Sequence, residues 1–356
     1  MQRKGSSPWY EVPMRLGVEA AVIDGRLIRG DLEIAGWRVQ RHGLSSPNGR
    51  GIAVPGFVDL QVNGFASVDF LKADEDGYRR AGEALLETGV TAYLPTFITA
   101  PEAELVAALR EVPDHSAGAR VLGAHVEGPF LSAARLGAHS ATARRDPDPG
   151  LLDRLLAAGP VRLLTLAPEL PGAHDLIRTL LARGVTVSFG HSDATAEEAN
   201  AGFDLGVRTV THLFNAMRPF QHSDPGIVGA ALAREDVVVQ LILDGVHLAP
   251  ETAAFAWRAT RGRMSLVTDL TTAPGGRTSE GVLAGSTVPL IQAVRNLHTL
   301  GASLEEAIQA ATEIPARIIG ELEAGRLGVG LPADIVVLSD ALEIERVLVA
   351  GKDCLS

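Results

Sequence analysis

The feature of this sequence that most constrains its fold is a pair of segments that recurs between residues 55 and 324. In each pair, a short run rich in β-branched and other apolar residues ends in polar residues and precedes a helix-prone stretch. The β-rich runs are eight in number and occupy residues 56–60, 90–94, 120–126, 161–167, 185–189, 208–213, 237–243 and 264–268. Eight βα units in about 270 residues are what a (β/α)8, TIM-like barrel requires, so the sequence predicts an α/β fold of this kind.

Two further helix-prone stretches, residues 289–300 and 303–319, follow the eighth run and would complete the barrel. A doubly wound open sheet is the alternative, and such a sheet usually carries a glycine-rich phosphate-binding fingerprint after its first strand. Here the first run continues as DLQVNG at residues 59–64, which is a different pattern. The barrel is therefore the favoured architecture.

Both ends of the chain carry short β-rich runs without intervening helices, at residues 18–23, 27–34, 334–338 and 346–349. Asp24 and Gly25 form a hairpin turn signal between the first two runs. We therefore expect a small β-sandwich domain built from both termini, residues 1–54 plus 325–356, beside a barrel catalytic domain of residues 55–324.

Composition narrows the functions that such a fold can serve. The net charge of −11 argues against nucleic acid and anionic membranes as partners. The single cysteine, Cys354, excludes a disulfide framework and a cysteine-based zinc site. No apolar run is long enough for a transmembrane helix, and residues 1–13 lack the apolar stretch of a signal peptide, so a cytoplasmic protein is expected.

Histidines and carboxylates collect where the predicted strands end, which is where barrel enzymes carry their active sites. Glu127, His191 and His212 follow three different strands and match a catalytic zinc site, in which three protein ligands leave one position for water. Asp269, after the eighth strand, can take a proton from that water and return it to a leaving nitrogen. Taken singly, each of these residues is more often structural, but their joint placement at one face favours a site.

Six segments carry a family resemblance: PGFVDLQVNG (55–64), GAHVEGPF (123–130), SFGHSDAT (188–195), THLFNAM (211–217), DGVH (244–247) and LVTD (266–269). In this order and spacing they resemble the N-acetylglucosamine-6-phosphate deacetylases of the amidohydrolase superfamily. The resemblance implies that Glu127, His191 and His212 hold one divalent metal ion, zinc by default with iron as the alternative, and that Asp269 is catalytic. It implies the following substrate contacts: Ala138, His139, Asn215, Ala216, His247, Leu283, Ala284 and Gly285.

Two residues that follow the first strand indicate a mononuclear site. Many amidohydrolases carry His-x-His here and bind two metal ions, whereas this chain carries Gln61 and Asn63, which are poor zinc ligands. The fourth strand also lacks the lysine that bridges two metals in dihydroorotases. Gln61 and Asn63 are therefore interpreted as a vestigial second metal site.

Two departures from the family pattern fall on the substrate side. The family arginine that grips the substrate phosphate is replaced by Ser223, a substrate-contact position where a single hydroxyl stands in for a bidentate cation. Arg218 lies five residues earlier and is a candidate for the missing charge. The hairpin expected after Asp269 is shortened to residues 271–281.

The sequence thus predicts a metal-dependent hydrolase that converts N-acetylglucosamine 6-phosphate to glucosamine 6-phosphate and acetate, as a homodimer in keeping with the resemblance. Ser223 keeps open the deacetylation of an unphosphorylated or different acetamido sugar. A non-catalytic sugar-binding barrel is a further alternative, and a cyclic amidase ranks lowest because His-x-His and the lysine are missing.

Overall fold

The strands of the barrel surround its axis in sequence order. A computed structural model describes residues 13–115 and 117–355, so the expectation for the polar N-terminus lies almost wholly outside the described residues. The barrel strands are β1 (Phe57–Val62), β2 (Val90–Ile98), β3 (Ala124–Glu127), β4 (Val161–Leu166), β5 (Thr186–Phe189), β6 (Thr209–Val210), β7 (Val238–Leu241) and β8 (Met264–Leu266). Parallel ladders join each of these strands to the next, from β1 to β8, which confirms the predicted (β/α)8 architecture.

Helices follow the strands as the sequence predicts. They are α1 (Glu75–Glu87), α2 (Glu102–Arg110), α3 (Pro149–Ala158), α4 (Ala173–Ala182), α5 (Ala196–Asp204), α6 (Gly226–Ala233), α7 (Pro250–Ala259), α8 (Leu290–Thr299), α9 (Leu304–Ala311) and α10 (Glu313–Ile318). Helix α5 begins at a capping box, in which Thr195 accepts from the amide of Glu198 and the Glu198 side chain accepts from the amide of Thr195. Within the described residues, no helix is both long and apolar enough to span a bilayer.

Strands from both chain ends form two sheets beside the barrel. One sheet contains Ala20–Ile23, Arg26–Arg29, Ile52–Pro55, Ile335–Leu338, Ile344–Val349 and Lys352–Asp353, and the other contains Met14–Arg15, Asp31–Ala35 and Arg38–Leu44. Buried side chains of both sheets share one core, which includes Ile23, Leu32, Val39 and Ile335. The predicted second β unit is therefore present, while the domain boundaries remain a prediction.

Shorter elements complete the chain: strands Gly64–Phe65, Val68–Asp69 and Arg120–Val121, and 3-10 turns Phe70–Lys72 and Pro274–Gly276. Three of the predicted segments divide. The run 120–126 becomes the strands Arg120–Val121 and Ala124–Glu127. The run 27–34 splits at Gly30, whose φ of +105° turns the chain from one terminal sheet to the other. The stretch 303–319 splits at Thr312, because Pro315 has no amide hydrogen for a continuous helix and its ring would clash with the preceding turn.

Candidate active site

Glu127 lies at the centre of the polar groups at the carboxyl end of the barrel. It ends β3 and is 2% exposed. Its Oε1 atom lies 3.1 Å from Nε2 of His191 and 2.9 Å from Nε2 of His212, which follow β5 and β6. The side-chain amide of Gln61 donates to Oε2 over 3.2 Å. The predicted ligand set therefore converges on one point.

The hydrogen bonds of His191 show what this point can hold. Its Nδ1 lies 2.9 Å from the carbonyl oxygen of Arg135, which can only accept, so Nδ1 carries a proton. Burial lowers the pKa of His191 to about 4, so the ring is neutral and Nε2 presents a lone pair to Glu127. Two acceptors that face each other at 3.1 Å repel unless a cation binds to both. The His191 tautomer is also the one that metal-binding histidines adopt.

The pKa values of Glu127 and His212 are set by burial and by the contact between the two side chains. Burial alone raises the pKa of Glu127, but hydrogen bonds from His139 and His212 outweigh it and hold the carboxyl pKa well below its usual range. Burial lowers the pKa of His212, yet the adjacent Glu127 carboxylate outweighs it and raises that pKa above the ordinary value. One glutamate oxygen and two imidazole nitrogens, all nearly inaccessible to solvent, therefore fit a divalent metal such as zinc.

His139 lies beside the same carboxylate, but its Nε2 is a hydrogen-bond donor, whereas that of His191 is an acceptor. Its Nε2 is 3.5 Å from Oε2 of Glu127. Among the described residues, the group whose ligand atoms lie close enough together for a metal is Glu127, His139 and His191, without His212. The backbone amide of Thr99 donates to Nδ1 of His139, so the ring proton is on Nε2. His139 therefore presents a donor to the cavity, and His212 remains the better third ligand.

Asp269 follows β8 and faces the same cavity. Burial, followed by the negative charge of Glu127, raises the pKa of Asp269 to about 7. The side-chain amide of Asn63 donates to Oδ1 of Asp269 over 2.6 Å. A carboxyl with this pKa takes up and releases a proton close to neutral pH.

His247 is oriented by Asp244, three residues before it. Nδ1 of His247 donates to Oδ2 of Asp244 over 2.8 Å, and Oδ1 of Asp244 accepts from the amides of Val246 and His247. The ring is therefore fixed with Nε2 on the cavity side.

The backbone takes unusual conformations at these strand ends. Five of the ten non-glycine residues with positive φ among the described residues lie at or just after these strand ends, with φ between +30° and +78°: His191, His212, Phe214, Ala216 and Asp269. Such conformations cost roughly 1–3 kcal/mol each and gather at functional sites, where the surrounding structure holds them.

These groups line one cavity of about 640 Å³. Its walls include every predicted ligand, Asp269, Asn63 and all the predicted substrate contacts except Ser223. Ser223 is exposed in the turn between Gln221 and Asp224, and Gln61 is buried beneath the cavity, against Glu127. The sequence thus predicted most of this wall.

Some lining residues escaped the sequence reasoning. Thr271, Thr272 and Thr278 belong to the shortened loop, in which Arg277 and Leu283 pair across a tight turn. Arg135 also lines the cavity. Its position in the sequence, four residues before the predicted substrate contact His139, could have indicated this.

Two arginines flank Asp193 between this cavity and the Ser223 turn. Arg135 contacts Asp193 through Nε and a terminal nitrogen, each at 2.7 Å. Arg218 contacts the same carboxylate over 3.4 Å and is bound to Asp224 over 2.6 Å and 2.9 Å. Arg218 does not line the cavity, so its charge is directed to Asp224 and Asp193.

Comparisons with known proteins place this site in a family. The model of the amidohydrolase family matches residues 52–354. The N-acetylglucosamine-6-phosphate deacetylase of Homo sapiens is 37% identical over 92% of this chain and 92% of that protein, and that of Vibrio furnissii is 36% identical over 88% and 85%. This chain belongs to the amidohydrolase family, among the N-acetylglucosamine-6-phosphate deacetylases.

Solved structures of this family have the same fold. The deacetylase from Thermotoga maritima superposes with a TM-score of 0.89, at 29% identity over 96% of this chain and 99% of that one. A mutant of the Mycobacterium smegmatis deacetylase, in complex with N-acetyl-D-glucosamine-6-phosphate, gives 0.89 at 32% identity over 97% and 100%. An N-acetylgalactosamine-6-phosphate deacetylase of Escherichia coli O157:H7 is 33% identical over 84% of this chain and 86% of that protein.

Proposed function

We propose that this chain hydrolyses the acetamide of N-acetylglucosamine 6-phosphate to glucosamine 6-phosphate and acetate. The observation that carries the proposal is the convergence of Glu127, His191, His212 and Asp269 on one cavity at the carboxyl end of the barrel. The names of the relatives support the same substrate, and they disfavour both a non-catalytic sugar-binding barrel and a deacetylase of unphosphorylated sugars.

Glu127, His191 and His212 would hold one divalent metal ion, for which we propose zinc, since a carboxylate with two imidazoles suits it and ferrous iron also fits. Such an ion supplies Lewis acidity and lowers the pKa of water to about 7. Gln61 and Asn63 direct their amide N–H groups to Glu127 and Asp269, so these two carboxylates are hydrogen-bonded where a second metal would otherwise be needed.

Asp269 transfers the proton in this reaction, and His139 stabilises the charge that develops on the substrate. Asp269 accepts a proton from the attacking water as its oxygen bonds to the acetyl carbon, and it gives that proton to the sugar nitrogen as the carbon–nitrogen bond breaks. The Nε2–H of His139 donates to the carbonyl oxygen, on which negative charge develops. Acetic acid and the free amine leave, the acid releases its remaining proton to solvent as acetate, and Asp269 is again ionised.

The rest of the cavity would bind the sugar and its phosphate. We propose contacts from the residues that the resemblance implies: Ala138, Asn215, Ala216, His247, Leu283, Ala284 and Gly285. Arg135 is the one arginine among the described residues of the cavity wall, so we propose that it faces the phosphate in place of the cation missing at Ser223. Ser223 itself remains a prediction.

The direct test is the release of acetate from a panel of substrates by the metal-loaded protein. We expect kcat/KM to be at least tenfold higher, about 1.4 kcal/mol, for N-acetylglucosamine 6-phosphate than for N-acetylglucosamine. N-acetylgalactosamine 6-phosphate distinguishes the two sugar epimers named by the relatives. A preference for the phosphorylated sugar below tenfold would contradict the proposed substrate and favour an unphosphorylated acetamido sugar. The homodimer and the cytoplasmic location remain predictions, and light scattering measures the first.

A further inference from the structure

The barrel closes differently at its last junction than at the other seven. Within the described residues, no ladder joins β8 to β1, and the two strands meet through a single bridge between Val62 and Leu270. The amides of Asn63 and Gly64 both donate to the carbonyl oxygen of Leu270, over 2.8 Å and 3.1 Å. We call this junction, residues 59–64 and 266–270, the closing seam. Asn63 and Asp269 both lie on it.

A buried carboxylate spans the closing seam. Asp59 of β1 is fully buried, and its Oδ2 accepts a hydrogen bond of 2.5 Å from the hydroxyl of Thr268. Its Oδ1 accepts from the backbone amides of Thr268 and Gln61, each over 3.2 Å. The Asp59 side chain thus supplies contacts between β8 and β1 that backbone pairing provides elsewhere in the barrel.

Thr268 transmits this contact to the catalytic aspartate. Its hydroxyl donates to Asp59 and accepts from the amide of Leu270 over 3.1 Å, so the residues on both sides of Asp269 are fixed. Asp269 has φ of +56°, a conformation that needs such support. Across the seam, the 2.6 Å contact of Asn63 with Asp269 depends on the same alignment.

We propose that Asp59 is a positioning residue that joins β8 to β1 and so holds Asp269 in register with Asn63. Asp59 does not line the cavity and touches no reacting atom. The proposal rests on the proposed function for its kinetic readout, and on the seam itself for its structural readout. Misplacement of a catalytic group by about 1 Å costs about 10²-fold in rate.

The chain offers a matched control in Asp31. This aspartate is also buried, at 2% exposure, and its Oδ1 accepts from the backbone amides of Gly17, Val18 and Leu32. It lies in a terminal sheet, remote from the cavity wall. Its Oδ2 pairs with the exposed Arg15 over 3.0 Å, so its removal measures the general effect of losing a buried, hydrogen-bonded carboxylate together with this ion pair.

The experiment compares Asp59→Ala with Asp31→Ala in metal-loaded protein. We expect both to lower the melting temperature and only Asp59→Ala to lower kcat, by about 10²-fold, with KM and bound metal unchanged. Asp59→Asn should recover most of kcat, because its oxygen still accepts from both amides and its NH2 group can donate to Thr268. Adding Thr268→Val to Asp59→Ala should lower kcat by less than the product of the two single effects, since both changes remove the contact between Thr268 and Asp59.

Hydrogen–deuterium exchange at residues 268–271 provides a readout that does not depend on turnover. We expect faster exchange there in Asp59→Ala, or in Thr268→Val if the alanine variant does not fold, and no change in Asp59→Asn or Asp31→Ala. Unchanged exchange at the seam, or a kcat in Asp59→Ala within twofold of wild type, overturns the proposal. If the wild type releases no acetate, the proposed function fails, and the exchange data alone decide the role of Asp59.

Discussion

At the residue scale, the candidate site depends on which imidazole nitrogens carry protons. His191 gives its Nδ1 proton to a backbone carbonyl, so its Nε2 lone pair faces Glu127. His139 receives the amide of Thr99 on Nδ1, so its Nε2 is a donor. Two histidines of the same cavity therefore present opposite hydrogen-bonding groups, which is why we propose one as a metal ligand and the other as a hydrogen-bond donor to substrate.

Substituting these two histidines separates the roles. In His139→Gln we expect kcat to fall by about 10²- to 10³-fold with the metal content unchanged, because a donor to the developing oxyanion is lost. In His191→Gln we expect the metal content itself to fall. Elemental analysis and acetate release measure both quantities, and loss of metal in His139→Gln would make His139 a ligand.

Arg135 and Arg218 test the phosphate end of the cavity. Their side chains are each 30% exposed and both contact Asp193, but only Arg135 lines the cavity. We expect Arg135→Gln to lower kcat/KM for the phosphorylated sugar at least tenfold and to leave that for the unphosphorylated sugar nearly unchanged. Arg218→Gln is the matched control. An equal loss on both sugars would mean that Arg135 does not read the phosphate.

The sequence predicted the residues that lie at strand ends better than those on loops. Glu127, His191, His212 and Asp269 follow β-rich runs, and parallel strands bring their ends together whatever the loops do. Arg135 and Thr99 enter the site through loop conformation, which no local pattern specified. Ser223, expected at the substrate, lies exposed in its turn.

At the element scale, the strands and helices of the barrel follow from periodicity, and two of the divided segments follow from single residues. Gly30 and Pro315 each interrupt a run that hydrophobic pattern alone would continue. The pattern also gave no sign that β8 and β1 would meet without a ladder. That junction depends on side-chain contacts of Asp59, which are not encoded in strand propensity.

The free energy of unfolding should depend on pH through Asp59 of the closing seam. Burial raises the pKa of Asp59 from 3.8 to about 6. The folded chain therefore binds this proton more tightly than the unfolded chain, and stability from this group is lost as pH rises from about 4 to 6. Relative to Asp59→Asn, the wild type should lose up to about 3 kcal/mol over that range, measured by urea unfolding. A difference that is constant with pH would show that Asp59 ionises normally.

At the scale of the whole molecule, an acidic chain is proposed to bind an acidic substrate. The net charge of −11 gives no general attraction for a sugar phosphate, so binding must come from a local arrangement of donors. The cavity supplies Arg135, His247 and the hydroxyls of its threonines. The same charge keeps nucleic acid disfavoured as a partner.

Metal binding should couple to global stability, because the ligands come from three separate strands. An ion that binds only the folded chain stabilises it by about 4 kcal/mol at a thousandfold excess over Kd. We expect a chelator to lower the melting temperature of the wild type by at least about 5 °C. The melting temperature of His191→Gln should shift little on adding the chelator. An equal shift in both proteins would mean that the chelator does not act at the proposed metal site.

The central claim, that metal ligands and Asp269 act together in amide hydrolysis, is tested most directly by Asp269→Asn at matched metal content. Acetate release from N-acetylglucosamine 6-phosphate is followed for this variant and the wild type. We predict that the variant retains its metal and loses at least about 10³-fold in kcat, since the asparagine cannot accept the proton of water. Turnover near the wild-type rate, with equal metal bound, would contradict the account.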